Sequence, residues 1–232
     1  MTESSAAAGE FICSEVIVVM ENKKTFVYFV RHGETDYNAV NRIQGQTDIP
    51  LNEDGLRQAE CAGKRLKNKH FDVIYSSDLD RAMVTAQKIA DGREITGDLR
   101  LREWNLGHWQ GKLMSEVREL YPEEVAVLGE RVDIVVKDGE SALQLRDRAA
   151  AFVTEIVRKH PSKEILCVTH GGFMRTFLMY AFGMEHYPKA QVDNTSYCCF
   201  STADGGETWQ LVFWNDINHL QAEGLDCCGF VF

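Results

Sequence analysis

The amino-acid sequence predicts an α/β fold, a three-layer α/β/α sandwich with a mainly parallel central sheet. Residues 26–30 (FVYFV) and 165–169 (ILCVT) are short, continuously apolar runs, as a strand covered on both faces requires. Longer segments between and after them carry apolar residues at helical spacing. The two kinds alternate along the chain, an order that joins neighbouring strands in parallel through crossing helices.

After the first strand, a helix is expected over residues 53–67, a short strand over 71–75 (FDVIY), and a helix over 78–90. Ala82, Ala86, Ile89 and Ala90 share one face of that second helix. A third helix follows Ser141, with Leu145, Ala149, Phe152 and Ile156 in its apolar stripe, and stops before Pro161. The 165–169 strand leads into a helix over 172–182, and two amphipathic strands near 197–201 and 209–214 close the fold. Residues 1–22 are expected to be an N-terminal extension with an added strand near 16–20, residues 23–220 a single domain, and 221–232 a C-terminal tail. Neither an internal repeat nor a Pro/Gly-rich break interrupts the domain.

Composition narrows the function. With 44% hydrophobic and 26% charged residues, the 232-residue chain reads as a soluble globular protein rather than a disordered or membrane one. The net charge of −10 stays negative even with all seven histidines protonated, which argues against nucleic acid or an anionic membrane as partner. The apolar run at 16–20 falls far short of the ~20 residues of a membrane span, and no basic leader precedes it, so a cytoplasmic location is expected. Cys228 stands fifth from the end, whereas a prenylation box needs a cysteine fourth. The seven cysteines never form C-x-x-C, so neither a disulfide framework nor a metal cluster is indicated.

Two predicted strands end alike. The first runs into Arg31-His32-Gly33 and the later one into His170-Gly171-Gly172. A histidine just past a strand end has a rigid base behind it, and glycine after it lets backbone approach a ligand closely. In such sheets ligands sit beyond the carboxyl ends of the strands. Arg31 and Arg81 fall at the same edge, and guanidinium forks bind phosphate bidentately. The segment LREWNLGHWQG adds a carboxyl group, Glu103, able to donate a proton to a leaving alkoxide. Residues 107–112 (GHWQGK) are one residue short of a nucleotide-binding P-loop and are followed by Leu113 where Ser or Thr should stand.

Five segments, in order across residues 26–175, together resemble the histidine phosphatase superfamily, the phosphoglycerate mutase-like proteins. They are RHGETDYNAVNRIQGQTDIPLNEDGLRQA, YSSDLDRAMVTAQ, LREWNLGHWQG, DGES and VTHGGFMR. The resemblance implies that His32 is a nucleophile forming a phosphohistidine and that Glu103 protonates the leaving oxygen. It implies that Arg31, Arg81 and His170 grip the phosphoryl group, with Asn38, Gln44, Gly45 and the helix start at Gly171 completing the phosphate side. No metal and no cofactor is implied, and the partner would be a small phosphorylated metabolite; a homo-oligomer is left open. True mutases of the superfamily have a Tyr-Gly pair beside the acid and an Arg-Arg pair in a longer insertion. Here Glu103 is followed by Trp-Asn-Leu-Gly, and residues 112–136 hold only the isolated Arg118 and Arg131. A short, open lid should admit water, so a phosphatase is expected. The alternatives are a cofactor-dependent phosphoglycerate mutase and a non-catalytic member binding phosphorylated ligands or proteins. Specificity residues are expected within 113–138.

Overall fold

The computed structural model describes residues 23–225. The expected extension with its strand, Cys13, and the end of the tail with Cys227 and Cys228 lie outside the described residues. Six strands form one sheet: β1 (Thr25–Arg31), β2 (Val73–Ser76), β3 (Thr96–Gly97), β4 (Glu164–Thr169), β5 (Tyr197–Thr202) and β6 (Gln210–Asp216). Their order is β3-β2-β4-β1-β5-β6. The first four are mutually parallel, and β5 and β6 add antiparallel strands beside β1.

Alternation within the central strands makes the three layers. Val27 and Phe29 of β1 and Ile165 and Cys167 of β4 face one core, whereas Val30 with Leu166 and Val168 face the other. The first core is closed by α6 (Ala142–Lys159) and α7 (Gly171–Ala181), the second by α2 (Glu53–Leu66) and α3 (Asp80–Ala90). Phe29 sits within ring contact of Phe173, Phe177 and Phe200, at centroid distances of 5.8, 5.1 and 5.9 Å. Truncating such a fully buried ring costs about 3–5 kcal/mol. Helix α6 starts at a capping box between Ser141 and Gln144, and its expected stripe of Leu145, Ala149, Phe152 and Ile156 is buried throughout.

The remaining helices are short: α1 (Asp36–Ala39), α4 (Met114–Leu120), α5 (Pro122–Glu130) and α8 (Asn218–Gln221). Three differences from expectation are informative. The second strand begins at Val73 rather than 71, with Phe71 buried in the α2–α3 core as a loop residue. Strand β5 is buried on both faces, not amphipathic, because it lies between β1 and β6 inside the sheet. The segment expected to be a loose lid folds into α4 and α5, and buries Met114, Val117, Leu128 and Val136. Among the described residues, no helix is long and apolar enough to cross a membrane.

Candidate active site

The sheet register sets the two strand-end histidines side by side. Arg31 of β1 pairs with Thr169 of β4, and one residue on, the His32 N–H donates to Thr169 O at 3.0 Å. The His32 and His170 rings end 5.1 Å apart. The His32 carbonyl is held from the other side by Asn194 Nδ2 at 3.0 Å and Thr195 N at 3.3 Å. His32 Nδ1 lies 2.7 Å from Gly33 O. A carbonyl only accepts, so Nδ1 carries the proton and Nε2 of the neutral ring keeps its lone pair. Burial, and then the charges of Arg81 and Arg31, hold the His32 pKa well below the ordinary value, so the ring is neutral at neutral pH.

His170 is wired through its opposite nitrogen. Its Nε2 meets Ser77 Oγ, just past the end of β2, at 2.9 Å. Its Nδ1 is buried with no hydrogen-bond partner among the described residues. Burial, then Arg81 and His32, push its pKa down as well.

Arg31 and Arg81, the two arginines singled out in the sequence, both bring positive charge to the site. Arg31 Nη1 donates to Val192 O at 2.6 Å, and burial with neighbouring Arg175 lowers the Arg31 pKa to about 10. Arg81 is fully buried, donates to Gly45 O at 2.7 Å and to Thr47 O at 2.8 Å, and is lowered by burial to about 10. Both stay cationic at neutral pH. Arg81 therefore anchors the Gln44–Thr47 turn from behind, and an ion pair with Asp78 does not form, because Asp78 is taken by Arg102. Asn38 Oδ1 caps its own short helix through Thr35, leaving the amide Nδ2 as the group for a ligand.

Glu103 is brought in by a tied loop. Thr169 Oγ1 donates to Leu101 O at 2.7 Å. Arg148 of α6 donates to Arg100 O and Arg102 O at 2.8 Å each, to Glu103 O at 3.2 Å, and to the Glu140 carboxylate at 2.6 Å. Two backbone N–H groups orient the Glu103 carboxylate: Trp104 N on Oε1 at 2.7 Å and Gly172 N on Oε2 at 3.1 Å. A Cβ on Gly172 would stand 2.2 Å from Glu103 Oε1, so only glycine admits this contact. Gly33 serves differently from expectation: its missing Cβ makes room for Gly55 O at the start of α2, 2.4 Å from where a Cβ would be.

Seven of the nine residues singled out in the sequence line one cavity of about 60 Å³: Arg31, His32, Asn38, Gln44, Gly45, Glu103 and Gly171. His170 and Arg81, both fully buried, stand directly behind it. Arg42, Arg175 and Gly172 also line the cavity without having been assigned a role from sequence. Arg175 was legible in principle, being one helical turn after Gly171; Ser77, Arg148 and Asn194 carry no local signal. Among the described residues, no three His, Cys, Asp or Glu side chains gather where a metal ion would sit. The positive end of α7 opens at Gly171, so backbone N–H groups, guanidinium groups and an imidazole lone pair converge on one small volume. That arrangement holds an anion and can attack its central atom.

Known proteins resemble this chain along most of its length. Residues 27–217 match the histidine phosphatase superfamily, branch 1. Phosphoglycerate mutase-like protein 4 of Arabidopsis thaliana is 38% identical over 211 residues, 88% of this chain and 90% of its own. The metal-independent phosphoserine phosphatase of the same plant is 36% identical over 230 residues, covering 97% and 94% of the two chains. Among solved structures, phosphoserine phosphatase from Entamoeba histolytica in complex with 3-phosphoglyceric acid superposes with a TM-score of 0.78 at 32% identity, covering 84% of this chain and 99% of that one. With the match running from β1 through β6 and both strand-end histidines inside it, this chain belongs to the histidine phosphatase superfamily.

Proposed function

We propose that the chain is a metal-independent phosphatase that hydrolyses small phosphomonoesters through a phosphohistidine on His32. The observation that carries this reading is the wiring of His32: a neutral ring with Nδ1–H on Gly33 O and the lone pair of Nε2 left available, in the field of Arg81 and Arg31. In the first step Nε2 attacks phosphorus, the ester P–O bond breaks, and the leaving oxygen takes a proton from Glu103. In the second, water attacks phosphorus in line with the P–N bond and gives its proton to Glu103, while the P–N bond breaks, returning its electron pair to His32 Nε2 and releasing phosphate. Charge on the transferring group is met by Arg31, Arg81, His170 and the backbone start of α7, with Asn38, Gln44 and Gly45 on the remaining side; phosphoryl transfer needs chiefly such positioning and charge stabilisation. The chain's net charge of −10 does not oppose this, since charges beyond a Debye length of ~8 Å are largely screened and the cavity is cationic.

Water rather than a second alcohol is favoured as acceptor. Residues 112–136 lack the paired arginines that hold a sugar acid in true mutases, and Glu103 is half-buried rather than sealed from solvent. The names of the phosphoserine phosphatase relatives point the same way. The test is phosphate release from a panel of phosphomonoesters in EDTA, paired with a 3-phosphoglycerate isomerisation assay. Release without metal and without efficient isomerisation is expected. Activity that EDTA removes and Mg²⁺ or Zn²⁺ restores would overturn the mechanism, and efficient bisphosphoglycerate-dependent isomerisation would make the protein a mutase.

A further inference from the structure

Beside the phosphate cavity lies a larger one, about 150 Å³ against about 60 Å³, and Trp104 and Arg175 line both. Trp109, Met114, Val125 and Leu128 form its apolar wall, contributed in part by α4 and α5. Two exposed cations stand on its lining, Arg118 from α4 and Lys189 from the loop after α7. No Asp or Glu lines it. Elsewhere on the chain some exposed or half-exposed arginines have carboxylate partners, such as Arg57 with Asp54 and Arg131 with Asp133, and others, Arg65, Arg93 and Arg158 among them, make no salt bridge among the described residues. Arg118 and Lys189 also make no salt bridge among the described residues, so both charges are available to a ligand in the cavity. In a chain with ten more acids than bases, an apolar hollow lined by two cations and no acid, sharing a wall with the phosphate site, has the chemistry of a subsite.

We propose that this cavity takes the alcohol half of the substrate and selects phosphomonoesters whose leaving group has an apolar body ending in an anion, a carboxylate or a second phosphate. The inference rests on the phosphatase reading of His32. Trp104, Trp109, Met114 and Leu128 cover the apolar body, as burial of apolar surface favours. Arg118 and Lys189 meet the terminal anion beside low-dielectric walls, where charge-assisted hydrogen bonds strengthen.

A matched series tests it: hexyl phosphate, 6-(phosphonooxy)hexanoate and hexane-1,6-diyl bisphosphate, with p-nitrophenyl phosphate reporting the chemical step. Each ester is assayed by kcat/KM on the wild type and the R118Q/K189Q double variant, and by calorimetric Kd on the His32→Ala protein. The wild type is expected to favour one or both anionic-ended esters over hexyl phosphate by about 10-fold, through KM rather than kcat. In R118Q/K189Q that ratio should fall to about one. The two doubly anionic arms decide between carboxylate and phosphate as the preferred end. Equal treatment of all three hexyl esters by the wild type, or a preference that survives in R118Q/K189Q, overturns the proposal. Absence of turnover on every ester, p-nitrophenyl phosphate included, overturns the phosphatase reading instead; the Kd series on His32→Ala then still decides whether the anionic end is recognised.

Discussion

The ends of β1 and β4 are the same piece of architecture used in two ways. Each is a buried parallel strand that stops at a histidine followed by glycine, and the two rings stand 5.1 Å apart in the same electrostatic surroundings. The hydrogen bonds separate them. His32 gives Nδ1–H to a backbone carbonyl, an acceptor that fixes the tautomer and leaves Nε2 as a lone pair. His170 bonds through Nε2 to a serine hydroxyl that can give or take a proton, so its Nδ1 can present a hydrogen to a phosphoryl oxygen. On the proposed mechanism one strand end makes a nucleophile and the other a donor, and the difference lies in which neighbour each ring touches, not in the residue type.

The largest expected effect breaks the comparison outright. His32→Ala should lower kcat by about 10⁴-fold or more, because nothing else in the cavity offers a comparable lone pair. Glu103→Gln should slow esters with poor leaving groups by about 10²–10⁴-fold and leave p-nitrophenyl phosphate nearly unchanged, since that phenolate needs little protonation. Equal losses on both substrates would give Glu103 a structural or electrostatic role. On the other strand end, His170→Ala should cost about 10²-fold and Ser77→Ala about 10-fold, the smaller loss matching one orienting hydrogen bond. If Ser77→Ala were as damaging as His170→Ala, the serine would be doing more than holding the ring.

Acid sharpens the contrast more gently. As the proposed nucleophile His32 must be neutral, and its pKa lies well below 6.5, so the acid limb of kcat/KM should fall below that pH. His219 of α8, buried against Thr195 behind the His32 turn, is pushed down to about 4 by burial. Its folded pKa is the lower one, so the unfolded chain takes up the proton first as pH falls from about 6.5 to about 4. Stability should decline through that window, and His219→Gln should flatten the Tm–pH curve there by a few degrees.

What the sequence discloses follows from how local each cause is. A strand that stops at His-Gly is visible within a few residues, and so is the α6 stripe from Leu145 to Ile156. Glu103 stands out as a carboxyl group in a glycine-flanked loop, Asn38 and the Gln44–Gly45 turn came from the resemblance, and the structure brings all of them to the same cavity. Contacts without a local pattern stay hidden: Asn194 reaches the His32 carbonyl across 162 residues, Ser77 reaches His170 across 93, and Arg148 reaches the Arg100 carbonyl across 48. The burial of β5 depends on its place in the sheet order, which no property of YCCFST reveals. In the 112–136 segment, charges at Glu116, Arg118, Glu119, Glu123 and Glu124 obscure the apolar positions that α4 and α5 turn inward.

Phosphoryl transfer to His32 Nε2 leaves a labelled enzyme that can be trapped. Wild-type protein mixed briefly with a ³²P-labelled phosphomonoester in EDTA, denatured in base and digested, tests it directly. The expected label is acid-labile and base-stable, lies on the peptide containing His32 and is absent from the His32→Ala protein. Label on another residue, or steady turnover in His32→Ala at the wild-type rate, would contradict it.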